Sequence, residues 1–176
     1  MSQLNTIANQ EVAMKKLIVL AIALMFMLSL AYAGDFSYVG VKRCRGCHKG
    51  ERKGNVYETW LSKKHAKAFE NIKAKGEEKN EKCLACHTTG FNNGGYKIGD
   101  ANNVNYEGVQ CESCHGPGSV YKKISLMKNR EEALKNGLVD IKEETCTGCH
   151  DGSEHAGGKF NYQEALKQID HTYTKK

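Results

Sequence analysis

The 176-residue sequence is poor in the residues that build a large apolar core. It contains one proline, one tryptophan and only 8% aromatic residues. Beyond residue 33 it has few long apolar runs, and a small domain of this kind usually needs covalent or metal staples. It also lacks a Ser-His-Asp pattern, a phosphate-cradling glycine loop and a basic stripe interleaved with aromatics. We therefore assign no catalytic residue and expect no nucleic-acid partner.

The one long apolar run lies near the N-terminus. Residues 14–33 read MKKLIVLAIALMFMLSLAYA, with Lys15 and Lys16 before the apolar run and a small-x-small pattern at its end. This pattern predicts a signal peptide cleaved near Ala33-Gly34 and hence a periplasmic or extracellular protein. An uncleaved anchor is the alternative. Residues 1–13 are predicted to be a mis-called extension upstream of the true start, Met14, which leaves residues 34–176 as a single domain.

No cysteine is left outside a Cys-x-x-Cys-His motif. The motifs are CRGCH (Cys44, Cys47, His48), CLACH (Cys83, Cys86, His87), CESCH (Cys111, Cys114, His115) and CTGCH (Cys146, Cys149, His150), here called motifs 1 to 4. Such a motif is typical of c-type haem attachment, because its two thiols can form thioethers with one haem. Two Cys₄ zinc sites, the alternative, would leave the histidine unexplained four times. We therefore predict four covalently bound haem c groups and no disulfide.

The histidine count makes the four sites unequal. The motif histidines are predicted to be the proximal iron ligands, and three others, His65, His155 and His171, are candidate distal ligands. Three cannot serve four irons. At least one haem therefore has an open site, a ligand other than His, or a His from another subunit; Met127 and Tyr121 are the local alternatives.

The apolar periodicity predicts a mainly α fold with extensive irregular loops and little β-sheet, organised around four covalent haems. Helices are expected over residues 55–75, 122–136 and 162–169, the last with His171 just beyond its end. Residues 88–106 are rich in Gly and Asn and are predicted to be a loop or a short hairpin around Asn93-Gly94-Gly95.

The positive charge of the chain is smaller than it first appears. The net charge is +6, and removal of residues 1–33 takes away Lys15, Lys16 and Glu11 to leave +5. A ferric haem with two ionised propionates adds about −1, so the holoprotein is near neutral. A local basic face is either a solvated helix surface or a docking patch for an acidic redox partner. It comprises Lys63, Lys64, Lys67, Lys73, Lys75, Lys79 and Lys82.

Several stretches resemble the tetrahaem cytochrome c-554 family over about residues 38–176. They are YVGVKRCRGCHKG with the later HAKAF, CLACHTTGF, GVQCESCHGPG, and Glu144 with CTGCH. The resemblance implies that His65 and His171 are distal ligands, that the haems form close, partly stacked pairs, and that one of the four is five-coordinate. Many relatives carry GPGSxH with a distal His, whereas this chain has GPGSVY and places Tyr121 there. A similar GSEH appears later and ends in His155, which leaves open the haem that His155 serves.

The leading functional hypothesis is a secreted carrier of single electrons between redox partner proteins. One alternative is a haem enzyme that reduces a small ligand, such as nitric oxide or peroxide, at an open haem. Another is a subunit of an extracellular haem filament, with a His donated between subunits. Peripheral membrane association and the oligomeric state are left open by the sequence.

Overall fold

The computed structural model describes residues 14–16, 18 and 36–171. The chain divides into two units, Met1–Asp35 and Phe36–Lys176. In the first unit, residues 14–16 and 18 are helical and exposed; the predicted extension over residues 1–13 and the rest of the predicted signal peptide lie outside the described residues. None of the helices in the described part of the chain has the length and apolarity needed to cross a membrane.

The second unit contains all four motifs and is built from short helices joined by turns. The α-helices are α1 (Val41–His48), α2 (Val56–Leu61), α3 (Ala68–Lys73), α4 (Glu81–His87), α5 (Cys111–His115), α6 (Ile124–Met127), α7 (Arg130–Lys135), α8 (Glu143–Thr147) and α9 (Tyr162–Ile169). Three 3₁₀ turns are Glu51–Lys53, Lys64–Lys67 and Asn103–Asn105. Between residues 36 and 171 no strand occurs, and Thr88 and Glu107 form an isolated antiparallel bridge. The predicted mainly α class is confirmed.

The prediction of a single helix over residues 55–75 is wrong. The segment is α2, the turn Lys64–Lys67 and α3, because Lys63 adopts an extended conformation (φ −91°, ψ 161°). Just before the break, the Ser62 hydroxyl donates to the Thr59 carbonyl at 2.7 Å, a local bond that competes with helix continuation. Because of this break, His65 lies on the 3₁₀ turn and not on the apolar face of α3.

The helix expected over residues 122–136 is also interrupted. It forms α6 and α7, because Asn129 is the N-cap of α7 and its side-chain oxygen accepts from the Glu132 N–H at 3.2 Å. The predicted C-terminal helix is confirmed as α9. Asn161 caps it by accepting from the Glu164 N–H at 3.1 Å.

The predicted loop over residues 88–106 is confirmed as turns. The Tyr96 N–H donates to the Thr89 carbonyl and the Asn92 N–H to the Tyr96 carbonyl, both at 3.0 Å. Gly95 is required here, because a Cβ atom at this position would lie 2.2 Å from the Thr89 carbonyl oxygen.

The polypeptide core is thin, as the composition indicates. One small cluster of buried apolar side chains forms between α3, α4 and the following loop; it comprises Phe69, Ile72, Leu84 and Tyr96. Elsewhere in residues 36–171, the buried apolar side chains are Ala68, Tyr121 and Ala133. This cluster positions motif 2, whereas motifs 1, 3 and 4 depend on other contacts.

Candidate haem sites

Each motif starts on a short helix or helical turn. Residues three and four apart lie on the same side of a helix, so the two thiols and the following histidine face one way. In motif 4 the helix α8 ends at Thr147, but the turn continues, with the Cys149 and His150 N–H groups donating to the Cys146 carbonyl at 3.1 and 2.9 Å. None of the eight cysteines, all of which lie in the described part of the chain, is in a disulfide, and Cys47 and Cys149 are exposed.

Three motif histidines each face one of the three other histidines across a short gap. The ring centroids of His150 and His65 are 6.0 Å apart, those of His87 and His155 are 5.9 Å apart, and those of His115 and His171 are 5.9 Å apart. With metal–nitrogen bonds of about 2 Å, two imidazoles on opposite sides of one metal have ring centroids roughly 6 Å apart. The three distances therefore fit one iron between the members of each pair.

Three of these histidines are oriented by a backbone carbonyl. The Nδ1 atom lies 2.7 Å from the Ala68 carbonyl in His87, 3.2 Å from that of Ala156 in His150, and 2.8 Å from that of Ile169 in His171. Because a carbonyl only accepts, Nδ1 carries the proton and Nε2 keeps its lone pair for a metal. Phe160 also stacks on the His150 ring, with centroids 5.0 Å apart and an interplanar angle of 19°.

Burial lowers the pKa of three of these histidines, His48, His65 and His115, and so favours the neutral ring that iron ligation requires. Burial, with further contributions from His171 and His48, lowers the pKa of His115 to about 4. Burial and the neighbouring His150 lower the pKa of His65. Burial, with Lys53 and His171, lowers the pKa of His48. Neutral imidazole is the form that binds a metal.

The local fold brings His65 into position through glycine. Gly108 has φ +83° and approaches the His65–Ala66 backbone so closely that a Cβ atom would lie 2.8 Å from the Ala66 carbonyl oxygen. That approach lets the Val109 N–H donate to the His65 carbonyl at 3.0 Å. The Trp60 indole N–H donates to the Val109 carbonyl at 2.9 Å. The GVQ stretch before motif 3 therefore holds the histidine that faces motif 4.

A cavity of about 1370 Å³ connects motifs 1 and 3. It is lined by both cysteines and the histidine of each of these motifs, by Cys146 and His171, and by apolar side chains that include Trp60, Tyr121 and Leu166. Its volume exceeds the roughly 300–1,000 Å³ usual for a small-molecule site. The thiol pairs, the neutral imidazoles and the apolar walls fit covalently attached porphyrin.

The thiols of different motifs are neighbours. A hydrogen bond with Cys111, together with burial, raises the pKa of Cys44 and places motif 1 against motif 3. Burial and a hydrogen bond with Cys86 raise the pKa of Cys149 to about 12, so motif 4 lies beside motif 2. Burial and the nearby Cys146 raise the pKa of Cys114 to about 11. In space, the attachment points therefore follow the order of motifs 1, 3, 4 and 2.

His48 differs from the other motif histidines. In the described part of the chain, no histidine ring faces it as one faces His87, His115 and His150. Tyr121 lines the same cavity but is 6% exposed, and its hydroxyl donates to the Gly116 carbonyl at 2.9 Å. Met127 also lines the cavity, and 39% of its surface is exposed. The structure thus brings together three of the four predicted ligand sets and leaves motif 1 without a second histidine.

Two polar residues of the motif 3 region were missed by the sequence analysis. The carboxylate of Glu112, 1% exposed, accepts from the N–H groups of Val39, Gly40 and Gly118 at 2.6 to 3.1 Å. Gln110, 3% exposed, accepts from the Val41 N–H at 2.8 Å and so caps α1. The sequence signal that could have found Glu112 is its charge: it lies between the two cysteines of motif 3, at a position where motifs 2 and 4 have neutral residues.

The chain is similar to known cytochromes. A family model described as cytochrome c554 and c-prime matches residues 43–116, which contain motifs 1 to 3. Cytochrome c-554 of Nitrosomonas europaea is 31% identical over 172 residues, covering 81% of this chain and 71% of the relative. The fold is similar to a solved structure of the reduced state of cytochrome c554 from Nitrosomonas europaea. The TM-score is 0.54 and the identity 27%, over 78% of this chain and 79% of that chain.

Proposed function

The chain belongs to the cytochrome c-554 family, and from this premise we propose which of its residues hold and orient the haems of a multihaem electron-transfer protein. It carries four covalently bound haem c groups and exchanges electrons with redox partner proteins. When bound, haem iron supplies a reversible one-electron change whose potential depends on its axial ligands and its surroundings. The comparisons favour this function over the small-ligand reductase and filament hypotheses.

The observation that carries the proposal is the set of three histidine pairs. His150 and His65 bind the motif 4 iron, His87 and His155 the motif 2 iron, and His115 and His171 the motif 3 iron. The centroid separations of 5.9 to 6.0 Å support each pair. The carbonyl partners of His87, His150 and His171 fix the ring orientation and direct Nε2 toward the metal.

His48 binds the motif 1 iron without a second histidine. Tyr121 is not the missing ligand, because its hydroxyl is used by the Gly116 carbonyl and burial, with Glu112, raises its phenol pKa. Met127 lies at the end of a four-residue helix and is 39% exposed, which makes it a poor candidate for a fixed iron ligand. The motif 1 haem is therefore the five-coordinate one.

The protein works outside the cytoplasm. Covalent haem attachment and the apolar run before residue 34 both support export, and the mature chain begins at Gly34. N-terminal sequencing of the secreted holoprotein tests this: a first residue at Gly34 is expected, and a chain that keeps residues 14–33 would contradict it. Peripheral membrane association and a filament stay predictions.

The ligand pairs are tested by removing one distal histidine at a time. His65→Ala, His155→Ala and His171→Ala are each expected to raise the number of high-spin ferric haems from one to two, because each iron loses its second strong ligand. The triple variant is expected to have four. Electron paramagnetic resonance, normalised to total haem, measures the count.

Gln163→Ala is the matched control, because Gln163 lines the cavity and carries no imidazole. It is expected to keep the native count. A single histidine variant that keeps three low-spin haems would show that the histidine replaced is no ligand and would contradict its assigned pair.

A further inference from the structure

A dense group of cations surrounds motif 1. Its members, here called the motif 1 cationic face, are Lys42, Arg43, Arg45, Lys49, Arg52 and Lys53, all exposed. Residues 42–53 contain these six cations and one acid, Glu51, for a net charge of +5. Lys42, Arg45 and Lys49 line one surface recess of about 510 Å³ on the outer side of α1. Lys42 and Arg45 are three residues apart and share one face of α1, and Lys49 directly follows the last residue of that helix.

The charges of this face are not neutralised by the polypeptide. Between residues 36 and 171, the ion pairs within 4.0 Å involve Arg130, Lys135 and Lys167, and none involves the motif 1 cationic face. Lys42 contacts the side-chain oxygen of Asn105 at 3.3 Å, and Arg45 lies over the Tyr57 ring, 5.5 Å from its centroid. Five of the six cations also line the cavity between motifs 1 and 3, whereas Lys42 lines only the outer recess.

The attachment cysteines of motif 1 lie close to this surface. Cys47 is one of the two exposed motif cysteines, and motif 1 is at one end of the spatial order of attachment points. No large apolar side chain in residues 42–53 is exposed, so the face offers charge rather than an apolar anchor. A face of this kind suits an encounter guided by charge more than insertion into a lipid surface.

Two other surfaces carry less positive charge than the motif 1 cationic face. The second exposed motif cysteine, Cys149, lies in a segment of opposite charge, because residues 142–154 contain four acids and one lysine. The lysine-rich stretch over residues 63–82 has seven lysines but also four glutamates, for a net charge of +3 over 20 residues. An anionic partner would therefore meet its strongest attraction at motif 1.

We propose that the motif 1 cationic face is the docking surface for an acidic redox protein, which exchanges single electrons with the chain at this end. The inference rests on the proposed function, since it requires a haem at motif 1. In the exchange one electron leaves the partner and reduces one ferric haem to ferrous, with no bond made or broken. Cationic side chains raise the encounter rate with an acidic partner and orient it over Cys47.

The test uses the ferric holoprotein and flavodoxin hydroquinone as an acidic protein donor. Stopped-flow absorbance measures the second-order rate of haem reduction at low and high salt. The variant Lys42→Glu changes the cation of this face that lines the outer recess and not the haem cavity. It is expected to lower the rate at low salt by about threefold or more and to reduce its salt dependence. The control Lys73→Glu changes the net charge equally at an exposed residue and is expected to change the rate less than about 1.5-fold.

An equal loss of rate in both variants, or no loss in either, would overturn the proposal. So would a wild-type chain that binds phosphatidylserine vesicles through the motif 1 cationic face but reacts with flavodoxin independently of that face. Reduced lumiflavin, a small donor that needs no docking surface, distinguishes failure of the docking proposal from failure of the proposed electron-carrier function. All variants should accept electrons from lumiflavin at the native rate and keep the native haem content. A wild-type chain that takes up no electrons from lumiflavin would contradict the electron-carrier function itself.

Discussion

Replacing Tyr121 with His is expected to convert the one high-spin haem of the native protein to low spin. The Tyr121 ring lines the cavity that contains His48, and its pKa is sensitive to Cys44 of motif 1. The family resemblance places a distal histidine at this point of the GPGSxH stretch. A histidine here would therefore complete a fourth pair, and the variant is expected to lose carbon monoxide binding in the ferrous state.

Tyr121→Phe is the matched control for this substitution. It keeps the ring in place and removes only the hydroxyl, which donates to the Gly116 carbonyl. We expect it to keep one high-spin haem and to bind carbon monoxide as the native protein does. A change in the high-spin ferric signal of Tyr121→Phe would show that the phenol is itself a ligand. A Tyr121→His protein that remains high-spin at one haem would contradict the placement of Tyr121 beside the open site.

Replacing Glu112 with Gln is expected to lower the free energy of unfolding by on the order of 3 kcal/mol. The buried carboxylate accepts from three backbone N–H groups in two separate segments, and so ties residues 39–40 and Gly118 to motif 3. The amide of Gln has one accepting oxygen, and its NH₂ group would face a backbone donor. At least one buried N–H would then lose its partner.

Denaturant unfolding of the holoprotein, followed by far-ultraviolet circular dichroism, measures this loss. Glu143→Gln is the control, because it makes the same chemical change at an exposed residue of α8 and is expected to alter stability by less than about 0.5 kcal/mol. Equal midpoints for Glu112→Gln and the native protein would show that the carboxylate does not brace motif 3.

The sequence predicted the chemistry of this protein better than its geometry. Cysteine spacing alone predicts the haem attachment points, because thioether formation needs two thiols three positions apart, and the histidine count alone predicts at least one unequal site. The helix over residues 55–75 was predicted wrongly, because the apolar period continues across Ser62 and Lys63, whereas the chain breaks there and the Val109 N–H donates to the His65 carbonyl just beyond the break. Local periodicity does not contain that long-range contact.

The pairing of ligands could not be predicted for the same reason. His155 follows His150 by five residues, yet it faces His87, and His65 faces His150 across 85 residues of chain. These pairings depend on the packing of motif 4 beside motif 2 and of the GVQ stretch against the His65 turn. Glu112 was missed because a carboxylate within a motif is ordinarily a solvent-exposed residue, and only the fold shows that three N–H groups converge on it.

The proposed ligand pairs give three haems two histidine ligands each and leave the haem held by His48 with one. Electron paramagnetic resonance of the ferric holoprotein, with total haem determined on the same sample, tests this ligand assignment. We predict four haems for each chain, three low-spin and one high-spin. Four low-spin haems, or two or more high-spin haems, would contradict the ligand pairs on which this account depends.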